Sequence, residues 1–235
     1  MRPKRVLFLI LAAAAFALSF VVALKSAPAE ERFDSRVRAD FYTGFAGNKD
    51  ALARGMKACE EALAADPKNA EAMVWHGAGT YFQAGMAFRG GDTETGMDLY
   101  RKGLDEMADA IQLDPDDIAV RSARGGIVIQ STLFMEGNPE REQLIQTAMD
   151  DYRRIYDVQK EQIDKLSAHS RGELLSGIAS GYRQLGQEAK AREWYQRVAD
   201  EMKGTPYGAR AQKYLDKGTL TPMESVCLGC HTAAH

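Results

Sequence analysis

The chain has 235 residues, 45% of them hydrophobic and 27% charged, with only seven prolines. That composition suits one or two folded, helix-rich domains and excludes a disordered polymer. The formal net charge of −3 becomes −7 once the four leader cations Arg2, Lys4, Arg5 and Lys25 are removed. So acidic a body excludes a nucleic-acid partner, because neutralising phosphates needs clustered Lys and Arg.

Residues 1–29 read as a leader. MRPKR is a basic flank, and residues 6–24 form a 19-residue apolar run ended by Lys25. Ala27-Pro28-Ala29 supplies small residues for cleavage before Glu30. Uncleaved, the same run nearly spans the hydrocarbon layer of about 30 Å at about 1.5 Å per residue, and its length favours an inner-membrane anchor. Signal peptide or anchor, the basic flank stays cytoplasmic and the body is expected in the periplasm. No cysteine lies near the boundary, which excludes a lipoprotein.

Residues 30–218 carry helical periodicity and almost no strand signal. A phrase recurs: EEALAADPKNAEA at 60–72 and ADAIQLDPDDIAV at 108–120. Each is the end of an amphipathic helix, then Asp-Pro, two polar residues and a new helix start. Pro67 and Pro115 stop the helix before them. A third unit, residues 173–199, puts Leu175, Ile178, Ala179, Tyr182, Gly186, Ala191, Tyr195 and Val198 at core spacing. These phrases resemble the tetratricopeptide repeat, a 34-residue helix–turn–helix unit.

The resemblance implies an all-α fold of about four degenerate helix pairs stacked as a solenoid, with a groove that holds a partner protein. Pro67 to Pro115 spans 48 residues, about 14 more than the standard unit. The excess is expected in a Gly-rich inter-helix loop from Met86 to Met97, and the unit from 118 to about 168 is similarly stretched. Helix starts are expected at the capping box Ser170-Arg171-Gly172-Glu173, at Asn138-Pro139 and at Thr205-Pro206. The second unit is rich in aromatics: Trp75, Tyr81, Phe82 and Phe88. Most are expected between helices, while Tyr81 and Phe82 are the candidates for a partner-binding groove. Cys59, in mid-helix, reads as a buried small hydrophobe.

Residues 219–235 hold the chemistry. Thr221-Pro222-Met223-Glu224 reads as an N-cap, first-turn proline and capping-box glutamate, opening a short helix toward Val226 and Cys227. The sequence Cys227-Leu228-Gly229-Cys230-His231 follows. Its Cys-x-x-Cys-His spacing is similar to the haem-attachment motif of c-type cytochromes. The resemblance implies one covalent haem c, with Cys227 and Cys230 as the thioether-forming residues and His231 as the proximal iron ligand. Candidate second ligands are His235, Met223 and His76, or a group from a partner. His235 lies one helical turn beyond His231, and His76 reads more readily as a hydrogen-bonded core histidine. His169 reads as a solvated loop residue.

Two other readings of the tail stay open. One is a Cys227–Cys230 disulfide in an oxidising compartment. The other is zinc held by Cys227, Cys230, His231 and His235, although adjacent Cys230 and His231 converge poorly on one tetrahedral ion. The functional expectation is an exported monohaem electron-transfer protein that docks a redox or membrane complex through its repeats. The alternative is a haem-free periplasmic scaffold. No distal-pocket pattern, paired catalytic carboxylates or nucleotide-binding loop points to an enzyme.

Overall fold

The computed structural model describes residues 31–225, and within them the chain is all helical. The leader and the Cys227–His231 motif lie outside the described residues. Among the described residues ten α-helices follow one another: α1 (Phe33–Phe45), α2 (Lys49–Ala65), α3 (Ala70–Arg89), α4 (Thr93–Leu113) and α5 (Ile118–Ser131). Then come α6 (Arg141–Gln159), α7 (Ala168–Gln184), α8 (Glu188–Glu201), α9 (Pro206–Lys217) and the short α10 (Pro222–Ser225). Tight turns of 3-10 helix, Thr132–Phe134 and Lys160–Lys165, follow α5 and α6. Among the described residues no helix is long and apolar enough to cross a membrane.

The helices pack as a repeat. Every helix from α1 to α8 lies against its successor, and α1, α3, α5, α7 and α9 also pack along one another. The arrangement is four helix pairs followed by α9, and it is compatible with a tetratricopeptide-like solenoid. The Asp-Pro phrases behave as their chemistry dictates. Helix α2 ends at Ala65 and α3 starts at Ala70 with the Asn69 side chain accepting from the Ala72 N–H. Helix α4 ends at Leu113, and the Asp117 carboxylate accepts from the N–H groups of Ala119 and Val120 at the start of α5. These caps satisfy amides that a helix leaves unpaired at its first turn.

The expected loop from Met86 to Met97 does not exist. Helices α3 and α4 have 20 and 21 residues and are separated by Gly90-Gly91-Asp92 alone. Gly91 sits at φ +85°, which turns the chain, and Asp92 caps α4. The extra length of this repeat therefore lies in longer helices. They run close together: a Cβ on Gly103 would sit 2.6 Å from the Tyr81 nitrogen and 2.7 Å from the Gly77 carbonyl.

Three further expectations are corrected. Helix α7 is capped by Ser167, whose hydroxyl accepts from the Ser170 N–H, so the capping box at Ser170 is not the start. His169 is accordingly a helix residue, not a loop residue. Helix α6 begins at Arg141, and the Asn138 side chain accepts from the Glu140 N–H to shape the turn before it. Thr205-Pro206 does open α9 as expected, with the Thr205 hydroxyl accepting from the Gly208 N–H.

The core runs the length of the stack. Leu175, Ile178, Ala179, Ala191, Tyr195 and Val198 of the third unit are all buried, and Gly186 turns between α7 and α8 at φ +68°. Cys59 is fully buried, and burial pushes its thiol pKa up to about 12. Charge ties the pairs together as well. Asp151 on α6 is fully buried and receives Arg121 at 2.8 Å and Arg124 at 2.7 Å from α5. Arg32 pairs with both Glu71 and Asp117, linking the entries of α1, α3 and α5.

Candidate functional site

Two grooves meet at the C-terminal end of α5. The first, of about 440 Å³, runs over the face built by the odd-numbered helices and has a mixed lining that includes the charged Asp34, Arg38, Glu173 and Arg210. Asp34 is buried there, accepting from the Trp75 indole N–H at 2.9 Å and pairing with Arg38. Burial raises the Glu173 pKa, against which His169 and Arg38 pull it down. His169 is held on both ring nitrogens, by the Tyr207 hydroxyl at 3.0 Å and by Glu173 at 3.5 Å.

The second groove is larger, about 1020 Å³, and mostly apolar. Tyr81 and Phe82, the two candidates named from sequence, both border it. They do so in different ways. Tyr81 is buried, its ring 5.5 Å from that of Tyr100 and its hydroxyl 2.9 Å from Ser131. Phe82 is half-buried against Phe45 with ring centroids 4.8 Å apart. Trp75, by contrast, is a core residue stacked 5.0 Å from Phe41.

Other lining residues were not singled out by the sequence. Phe45 and Tyr100 come from neighbouring helices, and Phe134 and Met135 from the turn after α5. The one available signal was TLFMEGNP, where apolar residues run up to a Gly-Asn-Pro turn. The Tyr100 hydroxyl donates to Glu140 at 2.6 Å; burial and that bond both raise its pKa.

The tail leaves the repeats beside these grooves. Helix α10 packs on the Thr132–Phe134 turn. Its capping box is formed as the sequence predicts, with the Thr221 hydroxyl accepting from the Glu224 N–H and Glu224 accepting from the Thr221 N–H at 2.9 Å. Two contacts fasten it: Glu224 pairs with Lys213 of α9, and Arg183 of α7 donates to the Ser225 hydroxyl at 3.1 Å. The Glu224 pKa is held down at about 2, chiefly by Lys213 and then by the Thr221 N–H.

The proposed haem ligands divide. Cys227, Cys230, His231 and His235 lie outside the described residues. His76 is 2.7 Å from Glu106 across the α3–α4 interface and lines neither groove. Met223 is 73% exposed on α10 and also lines neither. Among the described residues no group of three or more His, Cys, Asp and Glu side chains is arranged to hold a metal ion. No protein family, curated protein or solved structure matches the chain.

Proposed function

We propose that this chain is an exported monohaem c-type protein in which a tetratricopeptide-like scaffold docks a partner protein and the C-terminal haem takes part in electron transfer. The observation that carries this reading is the Cys227-Leu228-Gly229-Cys230-His231 sequence placed two residues after α10. That helix is capped at its start and fastened to the repeats through Lys213 and Arg183. A motif carried this way starts from a helix held to the repeats, which favours a reproducible electron-transfer distance. The aromatic groove next to it gives an apolar porphyrin a chemically suitable neighbour.

Cys227 and Cys230 would hold the group by adding their S–H bonds across its two vinyl groups, and His231 would give a ring nitrogen to the iron. Bound there, haem supplies reversible one-electron chemistry. The repeats contribute position and a docking surface and are assigned no bond-breaking step. The basic flank and the apolar run of residues 6–24 support a periplasmic location for this chemistry.

Expression with a c-type maturation system tests the proposal directly. A red product whose haem survives denaturation, with an intact mass raised by one haem, is expected. Replacing Cys227 and Cys230 by Ala should abolish the colour and leave the helical content unchanged. A colourless wild-type chain of unshifted mass would return the tail to a structural disulfide or a zinc site.

A further inference from the structure

The larger groove bears on a question that the sequence leaves open: where on the repeats a group carried by the tail would rest. We propose that this groove, between Phe45, Phe82, Phe88, Met97, Tyr100 and Phe134, is the docking site for the porphyrin carried by the chain's own residues 226–235. The inference rests on the haem reading of the tail.

Three observations converge on this occupant. The first is chemistry. Seven aromatic side chains and two methionines line the groove, and at about 1020 Å³ it has room for a large flat apolar ring. Arg89 stands among the lining residues as a cation suited to a carboxylate substituent, while Glu136 and Glu140 supply its negative edge. Glu140 is engaged by the Tyr100 hydroxyl.

The second observation is exposure. Phe134 is 62% and Phe88 39% exposed on this groove, and Met223 is 73% exposed on α10, which packs against the Thr132–Phe134 turn. Large apolar side chains gathered at one place mark a surface that something covers.

Reach is the third. Ser225 lines the first groove together with Gln130, and Gln130 lines the second groove too. Cys227 lies two residues beyond Ser225 and Cys230 five residues beyond it. At about 3.5 Å per extended residue the Cα atoms of Cys227 and Cys230 can lie no more than about 7 and about 18 Å from that of Ser225. The tether therefore starts on a groove that shares Gln130 with the aromatic one. A peptide from a partner or a second copy of the chain would also suit an aromatic groove, but neither is tethered to its rim.

The test uses the full-length holoprotein. Intact mass first establishes the attached haem. Circular dichroism in the Soret band and the affinity for added imidazole are then compared for wild type, Phe134→Asp, Phe134→Ala and Leu113→Asp. Leu113 is 41% exposed and lines neither groove, so it controls for a charge placed on an exposed apolar site. The far-ultraviolet spectrum reports that each variant is folded, and the mild Phe134→Ala covers the case in which the aspartate perturbs the turn.

A docked porphyrin should give strong Soret dichroism in wild type and in Leu113→Asp. Both Phe134 variants should weaken it and tighten imidazole binding by about tenfold, as expected for loss of a buried phenyl contact. Haem attached in every variant with unchanged dichroism and imidazole affinity would overturn the inference and leave the functional reading standing. Dichroism that disappears on dilution of a sedimenting dimer would overturn it in favour of a second copy. No added mass in wild type would remove both.

Discussion

Substituting Gly103 by alanine tests the packing of α3 on α4, and through it the wall of the aromatic groove. Both glycines of the Gly77–Gly103 contact lie mid-helix, where alanine is intrinsically favoured by about 1 kcal/mol. At Gly103 that gain is opposed by geometry. The new methyl would sit 2.6 Å from the Tyr81 nitrogen, 2.7 Å from the Gly77 carbonyl oxygen and 2.8 Å from the Tyr81 Cα. All three are backbone atoms of α3, which no rotamer change can move aside. Ordinary contact needs about 3.5–4.0 Å, so the two helices must separate by about an ångström. Overpacking of this kind costs about 1–3 kcal/mol, and rigid backbone puts the cost at the upper end. The net loss is about 2 kcal/mol, or about 4–8 °C in Tm for a chain of this size. Gly126→Ala is the matched control, because the nearest atom to its new methyl is the Tyr152 hydroxyl at 3.8 Å. It should raise Tm by about 1–4 °C. Calorimetry on the three proteins decides the matter: a Gly103→Ala protein as stable as wild type or more so would refute the close approach of α3 and α4.

Asp151→Asn keeps the side-chain shape but leaves Arg121 and Arg124 beside a buried neutral amide. A loss of about 3–5 kcal/mol is expected in urea unfolding, and one below about 1 kcal/mol would contradict an ion-paired Asp151. The Cys59 thiol, with its pKa pushed up to about 12 by burial, should resist iodoacetamide at pH 8 in the folded protein and react promptly in urea; equal rates would mean that α2 opens freely. Glu224 has a depressed pKa, so its hold on Thr221 and Lys213 is complete above about pH 4.5 and is lost as pH falls toward about 2. The Thr221 amide resonance should titrate with a midpoint near the lower value, and a midpoint near 4.5 would show that the capping box is open.

Much of the architecture is local, and the sequence reads it. The Asp-Pro phrases carry their own stop and cap, so the ends at Ala65 and Leu113 and the starts at Ala70 and Ile118 follow from the residues themselves. The capping box at Thr221–Glu224 is equally self-contained. The proposal of a haem at Cys227, Cys230 and His231 likewise rests on their spacing in the sequence alone.

Tertiary structure decided what depends on a partner element. The Gly-rich stretch after Met86 reads as a loop in isolation. All of it but Gly90-Gly91-Asp92 is helix, because Gly77 and Gly103 let α3 and α4 pack at backbone contact and Gly96 leaves room beneath the Phe88 ring. Such proximity repays the weak helix propensity of glycine through packing that no local rule contains. Ser167 outcompetes Ser170 as the cap of α7 for a related reason: either serine satisfies the sequence rule, and the chain entering from the Lys160–Lys165 turn selects one. The aromatic groove is the clearest case. Phe45, Phe82, Tyr100 and Phe134 come from four segments far apart in the chain, and only stacking of the helix pairs sets them around one space beside the tail.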